Sequence, residues 1–328
     1  MAAEKLLLVA FELNAAARQT VSQTLDGAAE FVCLPDIAPA EREAVLRRAG
    51  ALLAWNFKGF QPEEVSLLAG LGLAQFMTAG VDFVPLSALP EGVRVAGNGG
   101  AYAEPMAEHA LAMAFAAAKR IVPAHAEIAR GEFHQFTPNR MLGGGVCGIL
   151  GFGGIGLATA RLMRGIGMHV YGINRSGRPD PALDWAGTPE KLEEMLAASD
   201  VLVISAPLTK ATMGMIGARE LGWMKPDAIL VNVARGEIVD EAALYAHLCA
   251  HPNFSACIDA WWIEPVRHGE FRMDHPFMTL PNVIGSPHNS AQVPAYRVIA
   301  LRRAVENCRR ALEGEAPLHL VQAEDRLL

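Results

Sequence analysis

Charge is scarce in this chain: only 19% of its residues are Asp, Glu, Lys or Arg, and the acidic groups outnumber the basic ones to leave a formal net charge of -7 at pH 7. That balance supplies no basic footprint for nucleic acid or for an anionic bilayer, although it leaves room for a small acid in a local positive pocket. Cysteine is equally thin. The five present (Cys33, Cys147, Cys249, Cys257 and Cys308) are odd in number, scattered, and without CxxC or metal-ligand spacing. Neither a disulfide framework nor a metal site is expected, and buried thiols in a reducing, cytoplasmic compartment are. Long apolar runs are missing as well. The opening MAAEKLLLVAFELN holds six consecutive apolar residues before Glu12, too few for a signal-peptide core, and no run reaches the roughly 18 residues that span a bilayer.

What is present is an ordinary globular composition, 52% apolar over 328 residues, long enough for two domains with ample core. Short apolar runs alternate with helical patterns: LLLVAF, FVCL, ALLAW and VRVAG before residue 97, then VCGILG, HVYGI, VLVISA and AILVNVA after residue 145. This alternation predicts an α/β protein with two doubly wound parallel sheets. Between the two series lies the Ala-rich segment 104–132, glycine-free until Gly131 and broken only by Pro123. It reads as a long helix or helix pair that bridges domains or subunits, or as one buried helix of a single domain. A second amphipathic helix over 294–315 is expected to return to the first domain. The expected division is residues 1–99 with 294–328 as a substrate-binding domain and residues 100–293 as a dinucleotide-binding domain.

The strongest local signal is VCGILGFGGIGLATARLM, in which Gly151, Gly153 and Gly156 form GxGxxG between an apolar strand and an amphipathic helix. Gly151 allows the tight turn and Gly153 lets backbone amides approach a pyrophosphate. Gly156 lets helix and strand pack closely, and Gly154 and Ile155 complete the phosphate-facing turn. The next strand ends in Asn174, Arg175 and Ser176, where a binder of NAD would place Asp or Glu on the ribose hydroxyls. A carboxylate there would repel a 2′-phosphate, whereas Arg175 would pair with it and Asn174 and Ser176 would donate hydrogen bonds. NADP(H) is therefore the preferred cofactor, with NAD(H) possible if Arg175 is only a solvated loop residue.

Three further segments carry reactive groups: ILVNVARGEIVDEAAL with Arg235, CIDAWWIEP with Asp259 and Glu264, and NVIGSPHNSAQ with His288. Each alone also reads as a capping arginine, a surface carboxylate or a loop histidine. Their order is more telling. GxGxxG, then PLT at 207–209, NVARG at 232–236, Asp259 followed by Glu264-Pro265, and Pro287-His288 together resemble the D-2-hydroxyacid dehydrogenase family over nearly the whole chain, in its glyoxylate and hydroxypyruvate reductase form. The resemblance implies a flavodoxin-like substrate domain, a Rossmann cofactor domain and a cleft between them. It further implies that Arg235 binds the substrate carboxylate and carbonyl, that His288 is the acid or base, and that Glu264 orients it. Asp259 would meet the nicotinamide carboxamide, Ala206, Pro207 and Val233 would cover the cofactor, and Ala79, Gly80 and Val81 would offer backbone amides to the substrate carboxylate.

The chemistry is consistent with that set of groups. Reducing a 2-oxo acid requires a hydride, a proton for the nascent alkoxide, and a cation for the developing negative charge. Departures from the family pattern fall at Trp261, Trp262 and Asn289, and the tryptophans either reshape the pocket or pack in the core or a dimer interface. Trp55, Phe57 and Tyr102 are further candidates for the pocket wall. Formate dehydrogenases of this architecture carry glutamine beside the histidine, so Glu264 argues against that activity. The expected function is a 2-oxo acid reductase acting on small 2-oxo or 2-hydroxy acids, a homodimer through helices such as 104–132. The alternative is a dinucleotide-sensing corepressor or scaffold on the same fold.

Overall fold

The computed structural model describes residues 5–327. Two compact units divide the chain, the first formed by residues up to Ala101 together with those from Val293 onward, the second running from Tyr102 to Gln292. In the first, β1 (Leu6–Val9), β2 (Glu30–Cys33), β3 (Ala51–Ala54), β4 (Leu73–Phe76) and β5 (Arg94–Ala96) form one sheet in the order β2-β1-β3-β4-β5. All its pairings are parallel, and this order is flavodoxin-like. The strands β1, β3 and β4 are buried at every position, as a sheet covered on both faces demands. Helix α1 (Ala15–Leu25) begins where the Asn14 side chain accepts a hydrogen bond from the Ala17 amide at 2.9 Å, satisfying an otherwise orphaned donor. Helix α2 (Arg42–Arg48) follows β2.

The second unit begins with α3 (Ala103–Ala118) and α4 (Ile121–Ala129) and continues as β6 (Val146–Leu150), α5 (Gly154–Gly165), β7 (His169–Ile173) and β8 (Trp185–Gly187). Its second half is α6 (Leu192–Ala198), β9 (Val201–Ile204), α7 (Ala218–Trp223), β10 (Ile229–Asn232), α8 (Glu241–Ala250), β11 (Ser255–Ile258), α9 (Pro265–His268) and β12 (Val283–Gly285). The strands order as β12-β11-β10-β9-β6-β7-β8, all parallel. The direction of winding reverses between β6 and β9, which is the switch point where a doubly wound sheet opens a crevice at its carboxyl edge. The chain then returns to the first unit as α10 (Pro294–Leu312), which packs on α1, β3 and β4. There the buried Asn307 donates to Gln75 Oε1 at 2.6 Å and accepts from the Leu318 amide at 2.7 Å, a satisfied polar tie within an apolar layer.

The Ala-rich segment is a helix pair, and its break lies at Arg120 rather than at Pro123. Arg120 adopts a left-handed φ of 52°, whereas Pro123 occupies the first turn of α4, where a missing N–H breaks no helical hydrogen bond. Helix α3 buries Ala107, Ala110 and Ala114, and these small side chains let it lie close to α5 and the sheet. Helix α4 buries none of its residues. Among the described residues no helix is long and apolar enough to cross a membrane.

Candidate active site

The dinucleotide turn is built by close backbone approach. Gly151 has φ of 96°, and a Cβ there would lie 2.4 Å from the Ala206 backbone; one on Gly156 would lie 2.5 Å from the Gly151 carbonyl oxygen. Side chains at either place would separate β6 from its neighbour or from α5. Gly153 is different, because nothing lies within 4 Å of its would-be Cβ. It caps α5 in extended conformation, so the first amides of that helix, including those of Gly154 and Ile155, lie beside open space at its positive end. That is the arrangement a pyrophosphate fits. Ser205 Oγ donates to the Gly151 carbonyl at 2.8 Å, fixing the turn against the segment carrying Ala206 and Pro207, while Val233 is fully buried at the end of β10.

After β7 the loop is organised by Asn174. Its Oδ1 accepts from the Ser176 amide, the Ser176 hydroxyl and the Arg178 amide at 3.0–3.1 Å, and its Nδ2 donates to the Arg178 carbonyl at 2.9 Å. The side chains of Asn174 and Ser176 are thus engaged with each other and with the loop backbone. Exposed guanidinium groups at Arg175 and Arg178 provide its positive charge.

The reactive residues come from three strand ends. Asn232, buried at the end of β10, accepts from the Ala234 amide at 3.0 Å and donates to the Arg235 carbonyl at 2.8 Å, which closes the turn that presents Arg235. Gly236 is obligatory beside it, since a Cβ would fall 2.4 Å from the Trp261 backbone. Past β11, Glu264 is 7% exposed and accepts from the Trp261 amide at 2.7 Å. His288 Nδ1 lies 2.8 Å from both Glu264 oxygens. A carboxylate can only accept, so Nδ1 carries the hydrogen in this contact and Nε2 is the ring atom left for proton exchange. Burial by itself would raise the Glu264 carboxyl, but the hydrogen bond and charge of His288, the Trp261 amide and the charge of Arg235 together hold it below the usual carboxylate range. Glu264 is therefore ionised at neutral pH and its charge is shared between an imidazole and a guanidinium.

His288 itself has φ of 50°, a region that side-chain-bearing residues rarely adopt and that the surroundings must enforce. Asp259, with no exposed surface, accepts from Ser286 Oγ at 2.5 Å and from the amides of Asn289 and Ser290 at 3.1 and 3.3 Å. Trp261 Nε1 donates to the Ser286 carbonyl at 2.8 Å and its ring packs edge-on against Phe271 and Phe277. Trp262 Nε1 donates to Val239 O while its ring stacks on Phe277. Both tryptophans are structural supports. Tyr102 packs at the edge of the second unit's core, whereas Phe57 does so in the first unit and Trp55 lies exposed against Phe11.

Ala79, Gly80 and Val81 follow β4 in the first unit. Thr78 Oγ1 donates to the Gly80 carbonyl at 2.7 Å, and the Asn98 amide donates to Thr78 O at 2.7 Å. Gly97 passes so near that a Cβ would lie 2.3 Å from the Ala79 carbonyl oxygen. Sequence reasoning did not single out Asn232 as the residue that shapes the Arg235 turn, nor Ser286 as a partner of Asp259. Position within the NVARG and SPH stretches was the available signal for each. Among the described residues no group of three or more His, Cys, Asp or Glu is placed to hold a metal ion.

Residues 111–290 match the model of the D-isomer specific 2-hydroxyacid dehydrogenase NAD-binding domain. The glyoxylate reductase of Korarchaeum cryptofilum (strain OPF8) is 31% identical over 298 residues, 88% of this chain and 88% of that protein. Glyoxylate/hydroxypyruvate reductase B of Enterobacter agglomerans is 32% identical over 262 residues, 78% of this chain and 80% of that protein. Among solved structures, a D-isomer specific 2-hydroxyacid dehydrogenase from Xanthobacter autotrophicus Py2, in complex with NADPH and MES, superposes with a TM-score of 0.80 at 26% identity, covering 98% of each chain.

Asn232→Ala is expected to leave the Arg235 carbonyl and Ala234 amide without their partner and to destabilise the second unit by about 1–3 kcal/mol. Chemical denaturation of the two proteins side by side checks this, and an unchanged midpoint would show that the turn does not depend on that side chain.

Proposed function

The chain belongs to the D-isomer specific 2-hydroxyacid dehydrogenase family, and on that premise we propose that it reduces small 2-oxo acids, glyoxylate and hydroxypyruvate foremost, with NADPH as the preferred reductant. It is an NAD(P)-dependent dehydrogenase of two parallel-sheet units, in our reading a substrate-binding unit holding β1–β5 and a dinucleotide-binding unit holding β6–β12. The observation that carries the reaction is the contact of His288 Nδ1 with both Glu264 oxygens at 2.8 Å under the charge of Arg235. A sensor or scaffold has no need of a buried carboxylate held against a half-exposed imidazole.

The bound nicotinamide supplies the hydride. This chain's residues do the rest: Arg235 pairs with the substrate carboxylate and draws charge from the carbonyl, and His288 gives its Nε2 proton to the oxygen as it becomes an alkoxide. Glu264 stabilises the protonated ring that donates. On the cofactor side Ala206 and Pro207 would lie against the ring, and Gly153, Gly154 and Ile155 would cradle the pyrophosphate at the turn that Gly151 and Gly156 shape; Asp259 and Val233, which have no exposed surface, would support that wall from behind rather than touch the cofactor. Preference for NADPH falls on Arg175, with Asn174 and Ser176 shaping the loop that presents it, since no carboxylate stands at that strand end to repel a 2′-phosphate. Glyoxylate and hydroxypyruvate come from the names of the relatives, and the shared 2-oxo carboxylate is what the Arg235 and His288 pair addresses.

We also assign the exposed apolar face of residues 121–141 to a second copy of this chain. Ile121, Val122, Ile128, Phe133, Phe136 and Met141 are all exposed, Phe136 to 89%, on a segment whose helix buries nothing within its own unit. So many exposed apolar side chains along one segment are unusual on a monomer's surface, and the family resemblance supplies pairing through these helices.

Absorbance of NADPH and NADH followed with glyoxylate, hydroxypyruvate, pyruvate and phenylpyruvate tests the activity. Oxidation with the two small acids is expected, and tight NADPH binding without turnover of any 2-oxo acid would overturn it. In the same assay Arg175→Ala is expected to weaken NADPH by about tenfold or more, the scale of a charge-assisted pair to phosphate, while NADH is little changed; equal losses would remove the 2′-phosphate reading. Sedimentation should give a mass of two chains, falling toward one in Phe136→Asp, and a monomeric parent would dismiss the pairing.

A further inference from the structure

The left-handed turn that carries His288 is tied to a distant helix. Asp259 closes residues 286–290 from inside, accepting from Ser286 Oγ and from the amides of Asn289 and Ser290. A hydroxyl has one hydrogen, and since a carboxylate offers none, that hydrogen lies on the Asp259 side of the 2.5 Å contact. The Ser286 oxygen is thereby left as an acceptor. His109 Nε2 lies 3.0 Å from it and 3.6 Å from Asp259 Oδ1, so Nε2 carries the hydrogen and donates.

A directed chain results, from His109 to Ser286 to Asp259, with the Asn289 and Ser290 amides converging on the same carboxylate. Its far end is rigid. His109 lies on α3 between Ala107 and Ala110, neither of which has any exposed surface, and α3 is packed on α5, β10 and β11. The near end is the strained backbone, with His288 at φ of 50° and its ring on Glu264.

We infer that His109 and Ser286 are positioning residues for the reduction: they orient the Asp259 carboxylate, which holds the 286–290 turn in the one conformation that keeps the His288 ring on Glu264. The kinetic consequence rests on the reductase reading above, while the structural consequence does not. A partner that sets the orientation of a reacting group without touching the substrate alters the rate of the chemical step more than substrate affinity, because misplacement acts on the transition state.

The test compares full-length His109→Leu, His109→Gln, Ser286→Ala and the double variant His109→Leu with Ser286→Ala. Leucine removes the donor and keeps apolar bulk; a glutamine side-chain nitrogen reaches the place of Nε2 and still donates. His109→Leu and Ser286→Ala are each expected to lower kcat about tenfold with KM for glyoxylate within about twofold. His109→Gln should restore most of the rate, and the double variant should be no slower than Ser286→Ala, since both changes cut one chain. Independently of turnover, amide hydrogen exchange over residues 286–292 should quicken in His109→Leu and return toward the parent in His109→Gln. Unchanged exchange, multiplicative losses in the double variant, or a Gln variant as slow as the Leu one would each overturn the inference. If the parent turns over no 2-oxo acid while exchange still follows the variants, the reductase reading falls and the positioning chain stands.

Discussion

A buried carboxylate on an imidazole is the interaction around which the second unit is arranged. Taking Glu264 out of water is costly unless its charge is answered, and the answer comes from three directions: the His288 ring, the Trp261 amide and the positive charge of Arg235. Parallel pairing of β11 with β12 makes this feasible. The register sets Ile258 opposite Gly285, so Asp259 and Ser286 leave adjacent strand ends together and meet at 2.5 Å. His288 and Glu264 then close the loop a few residues farther on. The neighbouring end of β10 contributes Arg235 through the turn that Asn232 holds. Three adjacent strands thus deliver a carboxylate, an imidazole and a guanidinium to one edge of one sheet, and the strand order, more than any local motif, is what brings them together.

The same edge explains why glycine and tryptophan stand where they do. Gly236 lets the Arg235 turn pass against the Trp261 backbone, and Trp261 in turn braces both Glu264, through its amide, and the His288 loop, through its indole nitrogen. Of the two roles the sequence left open for the tryptophans, pocket wall or packing, their contacts support packing. Elsewhere along the same sheet edge, Gly151 and Gly156 hold β6, α5 and the segment after β9 at backbone contact, and nothing lies within 4 Å of the place a Cβ on Gly153 would take.

Much of this was legible in sequence because it depends on local spacing. Alternating apolar runs gave both parallel sheets, the glycine spacing gave the turn before α5, and the order of Arg235, Glu264 and His288 pointed to one family. Other features depend on contacts that no local pattern encodes. The break between α3 and α4 sits at Arg120, not at the conspicuous Pro123, because a proline in a first helical turn sacrifices no hydrogen bond. Asn174 looked like a ribose or phosphate donor, yet its amide organises its own loop. His109 and Ser286 are separated by 177 positions, and only the tertiary fold shows that one hydroxyl joins them to Asp259.

The account turns on Glu264 stabilising the protonated form of His288 as the proton donor, and the pH dependence of kcat for glyoxylate reduction in Glu264→Gln against the parent tests that most directly. Because the His288 hydrogen bond and charge, the Trp261 amide and the charge of Arg235 together outweigh burial and hold the carboxyl below its usual range, the ionised carboxylate is present across neutral pH and accepts from Nδ1. Replacing it by a neutral amide removes that support. The alkaline limb of the profile should therefore move to lower pH in Glu264→Gln. Superimposable profiles would contradict the assignment of Glu264, and with it the proposed proton route.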